Sequence, residues 1–106
     1  MEFTTEETAV FYRVLATMAN VDKEVDRLEH QFFIQVMGEL EISLYEKDLA
    51  KMLSREQIEQ ILKGMSQEKK IKIGQTAFQM MQMDGKIHAK EEEFYIYLLN
   101  VMGLLK

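Results

Sequence analysis

Apolar positions fall at helical spacing along almost the whole chain, and the runs between them start at polar capping residues. A Ser, Thr or Asp side chain satisfies backbone N–H groups orphaned at a helix N-terminus, and a Glu or Gln three residues later closes a capping box. Thr4 with Glu7, Asp26 with Glu29, Ser43 with Glu46 and Ser54 with Gln57 all have this spacing, and Ser66 is a weaker version. These signals predict six helices, near 5–21, 27–40, 44–53, 55–63, 67–83 and 89–102. The first (Ala9, Val10, Phe11, Val14, Leu15, Met18) and the fifth (Ile71, Ile73, Ala77, Phe78, Met80, Met81, Met83) are apolar around most of their circumference, which predicts central positions. Single stripes mark the second (Phe32, Phe33, Val36, Met37, Leu40) and the fourth (Ile58, Ile61, Leu62, with Met65 following). No alternating β-branched run is flanked by turn residues, so the fold class is all-α.

Composition narrows the class further. The chain has 106 residues, the size of one domain, so 1–106 is read as a single helical unit. Lacking cysteine, it has no disulfide, thiolate nucleophile or thiolate metal site. A net charge of −5 argues against nucleic acid, whose phosphates call for clustered Lys and Arg. The N-terminus is acidic where a signal peptide is basic and then apolar. The longest apolar run, Phe94 to Leu99, is six residues, when a spanning helix needs about 20. A cytoplasmic protein with no membrane insertion is the expectation.

An internal repeat is the most informative feature. At an offset of 62, Asp22, Val25, Glu29, Phe32, Phe33 and Ile34 match Asp84, Ile87, Glu91, Phe94, Tyr95 and Ile96, in the gapless pattern D-x-x-V/I-x-x-x-E-x-x-F-F/Y-I. Each copy has an apolar helix before the Asp and an amphipathic one after it. The architecture expected is two helical hairpins related by a pseudo-two-fold axis. Gly85 suits the left-handed end of a helix, and Lys23 takes that place in the first copy. Val25 and Ile87 are expected to point inward. Asp26 and His88 should sit at N-caps, with Glu29 and Glu91 in the following first turns, where the helix dipole favours a carboxylate.

The second copy, Met83-Asp84-Gly85-Lys86-Ile87-His88-Ala89-Lys90-Glu91, resembles the repeated signature of the tellurite-resistance TerB-like family of small bacterial helical proteins, an apolar helix running into A-D-G-x-I/V-x-x-x-E. The first copy lacks the glycine but keeps Asp22, Val25 and Glu29, and Asn100 to Leu104 resembles the family's closing L-G-L-type turn. The resemblance covers nearly the whole chain. It implies the TerB-like fold, a link to tellurite or other stress responses, and a metal-associated acidic surface.

Two readings of the repeated residues compete. As ligands, Asp22, Asp26 and Glu29 offer oxygens in one copy, and Asp84, His88 and Glu91 offer a mixed set in the other. Hard cations such as Ca²⁺, Mg²⁺ or Mn²⁺ take such donors, but either cluster alone is short of ligands without carbonyls, waters or the other copy. As caps, the same residues need no ion: Asp26 with Glu29 is a capping box, and Asp22 and Asp84 can bond nearby backbone N–H groups. His88 in place of Asp26 weakens a hard-cation site and makes only a poorer cap.

Other chemistry is thin. His30 and His88 have no H-x-x-x-H partner, and no phosphate-binding or nucleophile-elbow motif is present. Glu91-Glu92-Glu93 reads as a solvated first turn, and Lys69, Lys70 and Lys72 as a solvated face. The nine methionines read mainly as core filling. Phe3 and Tyr97 are candidates for an exposed contact, hence a homodimer or a protein partner. The chain is therefore expected to be a non-enzymatic accessory protein with no required cofactor and an acidic face toward a divalent cation. The alternative is an interaction or oligomerisation module whose acidic turns only cap helices.

Overall fold

In a computed structural model, residues 2–21, 27–83, 85 and 88–105 are described, and their architecture is all-α. Six helices are found among them: α1 (Thr5–Asn20), α2 (Arg27–Glu39), α3 (Leu44–Met52), α4 (Arg55–Gly64), α5 (Gln67–Met81) and α6 (Ala89–Val101). Thr4, Ser43 and Ser54 each form the expected reciprocal capping box, and Ser66 accepts a hydrogen bond from the Lys69 N–H. None of the described helices is long and apolar enough to cross a membrane.

The helices start where they do because the caps satisfy their first N–H groups, and the apolar faces then have to meet. α1 is the hub. It packs against all five other helices, and Val10, Phe11, Leu15 and Met18 are fully enclosed. α5 contributes Ile73, Ala77 and Met80 to the same core, α4 Leu62 and α6 Leu98. Met18, Met37, Met65, Met80, Met81 and Met102 are buried, consistent with unbranched side chains filling irregular gaps. Met52 and Met83 are instead exposed, as are Ile71 and Phe78 on the outer side of α5, so α5 is less enclosed than its apolar composition predicts.

The repeat governs backbone as well as sequence. Adding 62 to the bounds of α2 gives those of α6, and adding it to the start of α1 gives the start of α5. α1 packs on α2 and α5 packs on α6, so each copy is a helical hairpin, with α3 and α4 inserted between them. The equivalence runs on past the motif. The N–H groups of Leu40, Glu41 and Ile42 donate to the carbonyls of Val36, Gly38 and Met37. Those of Met102, Gly103 and Leu104 donate to Leu98, Asn100 and Leu99, the same pattern 62 positions later. In both turns the second residue past the helix is left-handed, Glu41 at φ 52° and Gly103 at φ 72°. Glycine tolerates that conformation; a glutamate is strained in it.

The inserted pair is tied back by Arg13. It leaves the hub helix α1 and donates from Nη1 to the carbonyls of Ala50, at 2.8 Å, and Leu53, at 3.4 Å. A cation at the C-terminal end of α3 complements both the orphan carbonyls and the helix dipole.

Candidate functional site

Of the six repeated residues proposed as ligands, Glu29, His88 and Glu91 lie within the described structure, and Asp22, Asp26 and Asp84 lie outside it, as do Val25 and Ile87. Gly85 has φ 77°, the left-handed conformation expected of it. Glu29 occupies the first turn of α2 and Glu91 the first turn of α6. Glu91 departs from the solvated turn expected of Glu91 to Glu93: it is 0% exposed, and its counterpart Glu29 is 2% exposed. Only Glu92 and Glu93 of the acidic trio face solvent. The alternation of one helical turn explains this, because Glu91 lies on the stripe of Phe94, Tyr95 and Leu98. Motif-matched positions share their burial too, since Ile34 and Ile96 are both exposed.

Glu91 is the third residue of α6 after its N-cap His88, the place filled by Glu7, Glu46 and Gln57 in the three capping boxes. Those three side chains accept from the N-cap N–H, as when Thr4 N–H donates to Glu7 Oε1 at 2.9 Å. Glu91 does not: both its oxygens are buried with no hydrogen-bond partner among the described residues. His88 is the N-cap that was expected but supplies no side-chain cap bond. An ionised carboxylate held away from water is normally paired, hydrogen-bonded or bound to a cation. No group of three or more His, Asp or Glu side chains placed to hold a metal occurs among the described residues.

Two other polar arrangements depart from expectation. Lys69 is not on a solvated face; its ammonium meets Glu7 Oε1 at 2.7 Å, with both side chains largely covered, and lies 5.8 Å from the centre of the Phe3 ring. Burial works against the Glu7 carboxylate, but the Lys69 ammonium and the Thr4 N–H outweigh it and hold its pKa below the ordinary value. Phe3 is thereby engaged within the chain, packing on Phe11 at 5.2 Å between ring centres.

Tyr97 is likewise engaged. Its hydroxyl donates to Glu59, its ring packs at a tilt against Phe94, and the Arg55 guanidinium lies 4.9 Å over it. Removal from solvent and the Glu59 carboxylate both raise its pKa. Of the Tyr95, Ile96 and Tyr97 triplet it is Ile96 that points outward. Arg13, Arg55 and Tyr97 belong to a cavity of about 600 Å³ between α1, α4 and α6. Periodicity did not mark this site, although Arg13 is the one charged residue between Thr8 and Val21, a signal that something polar interrupts the hub helix.

No protein-family model and no curated protein matches the chain. Its fold is similar to that of a solved protein of unknown function from Porphyromonas gingivalis W83, with a TM-score of 0.80 over 100% of this chain and 83% of that one, at 16% identity. At that identity the likeness is one of fold.

Proposed function

We propose that the protein is a non-enzymatic accessory module of the TerB-like type that holds a divalent cation at its acidic inter-helix connections, with Glu91 as an inner ligand and Glu29 as its counterpart. The observation that supports this reading is the Glu91 carboxylate, wholly buried at the start of α6 with neither oxygen hydrogen-bonded among the described residues. Used as a cap, it would accept the His88 N–H as Glu7, Glu46 and Gln57 accept theirs. A hard cation supplies the missing counter-charge, and carboxylate oxygens are the donors that Ca²⁺, Mg²⁺ and Mn²⁺ prefer. Asp84 in the same connection, and Asp22 and Asp26 in the other, are further oxygen donors by sequence. The tie to tellurite or stress responses comes from the family resemblance and belongs to this proposal alone. Calorimetric titration with Ca²⁺, Mg²⁺ and Mn²⁺ tests it. Saturable heat that disappears in the double variant Glu29→Gln with Glu91→Gln supports it; no heat and no thermal shift at millimolar ion would sink it.

A further inference from the structure

The cavity between α1, α4 and α6 has a chemistry of its own. Its walls are aliphatic and aromatic: Val14, Ile58, Leu62, Phe94 and Leu98 line it. At about 600 Å³ it lies within the ~300–1,000 Å³ typical of small-molecule sites. Among the described residues its charges run against those of the protein, for in a chain of net −5 they are Arg13, Arg55 and Lys90 against one acid, Glu93.

The three cations are not equivalent. Arg55 is paired with Glu59 at 3.3 Å, and Lys90 is exposed on the first turn of α6, whereas Arg13 is half-buried. Arg13 has no carboxylate partner among the described residues: the ion pairs found there are Arg55–Glu59 and Lys69–Glu7. Its two hydrogen bonds both leave from Nη1, to the Ala50 and Leu53 carbonyls. They fix the plane of the guanidinium while Nη2 and Nε keep their donors, which is the fork that meets a carboxylate in a bidentate pair. From this end, Val14, Thr17 and Val21 continue the lining along α1, about 12 Å of helix between Arg13 and Val21.

We infer that this cavity binds an amphipathic anion, a medium-chain aliphatic monocarboxylate, with the head group on Arg13 and the chain laid along Val14, Leu62, Phe94 and Leu98. Charge complementarity selects the head, and the apolar lining selects the body. This site is separate from the acidic connections and stands or falls without them.

The test is an NMR titration of the full chain with decanoate below its micelle concentration, with decanol and decylammonium as neutral and cationic controls. Saturable shifts confined to the methyl groups of Val14, Leu62 and Leu98 and the ring of Phe94 are expected, with both controls at least tenfold weaker. Arg13→Gln is expected to weaken decanoate about tenfold or more and leave decanol unchanged. Because Arg13 also ties α1 to α3, Ile58→Trp provides a second variant that fills the cavity from a half-buried position and blocks decanoate while Arg13 is intact. Equal binding of decanol, shifts centred elsewhere, or binding undiminished in Ile58→Trp would overturn the proposal. So would the same shifts appearing on raising protein concentration alone, which would assign the cavity to a second copy of the chain.

Discussion

Glu29 and Glu91 stand 62 residues apart and are the acidic side chains buried among the described residues, each in the first turn of the second helix of its hairpin. A solvent-exposed first-turn carboxylate is a common device of helix stability; burying it is not. For Glu91, whose oxygens have no hydrogen-bond partner among the described residues, a buried charge costs several kcal/mol unless a counter-charge is supplied. Glu91→Gln keeps the shape and removes the charge, so the metal-free variant is expected to unfold at a temperature no lower than the parent. With millimolar Mn²⁺ or Ca²⁺ the parent is expected to gain thermal stability, as any ligand of the native state confers, and the variant to gain none. Paired thermal melts with chelator and with ion read both effects.

The matching turns after α2 and α6 carry a second expectation. Glu41 holds a left-handed conformation that its counterpart Gly103 adopts without strain. Glu41→Gly should stabilise the fold by about 0.5–1 kcal/mol, the release of strain exceeding the added unfolded-state entropy. Gly103→Ala should destabilise it by about 1 kcal/mol. Denaturant midpoints for the two variants check the opposite signs.

These turns also show how much was legible. Helix starts were readable because Thr4, Ser43 and Ser54 are local signals that no tertiary contact overrides. The hairpins were readable because Asp, Glu, Phe and Ile repeat. Gly38 to Ile42 shares its hydrogen bonding with Asn100 to Leu104 but not its residue types, so identity at 62 residues' offset ended before the structural repeat did. The burial of Glu91 was not legible, since a Glu in a first turn has the same spacing whether it caps, faces water or is enclosed. Nor was the Lys69–Glu7 pair: whether one lysine of a basic cluster is covered depends on how α5 meets α1, a long-range fact.

That pair makes stability sensitive to acid. The folded-state pKa of Glu7 is lowered from about 4.5, so its contribution is complete above that value and is lost as pH falls through the folded pKa. Glu7→Gln retains an acceptor for the Thr4 N–H but leaves Lys69 without its counter-ion. A loss of about 1 kcal/mol at neutral pH is expected, shrinking towards zero below that window. Urea unfolding of parent and variant at pH 7 and in the acid range measures the difference.

Gly74 sits inside α5, where a glycine weakens a helix relative to alanine. A Cβ there would meet Leu99 Cδ2 at 3.5 Å and Leu104 Cδ1 at 3.8 Å, ordinary contact distances. Gly74→Ala is therefore expected to stabilise by about 0.5–1 kcal/mol, read as an upward shift of the melting midpoint.

The divalent cation proposed at the acidic connections, held through Glu91, can be located directly. Paramagnetic broadening by substoichiometric Mn²⁺ in backbone amide spectra locates the ion directly. Selective loss of the signals of Ala89 to Glu92, restored by Glu91→Gln, is the predicted result. No selective loss, or broadening at exposed acids such as Glu2 and Glu56 that Glu91→Gln leaves unchanged, would contradict it.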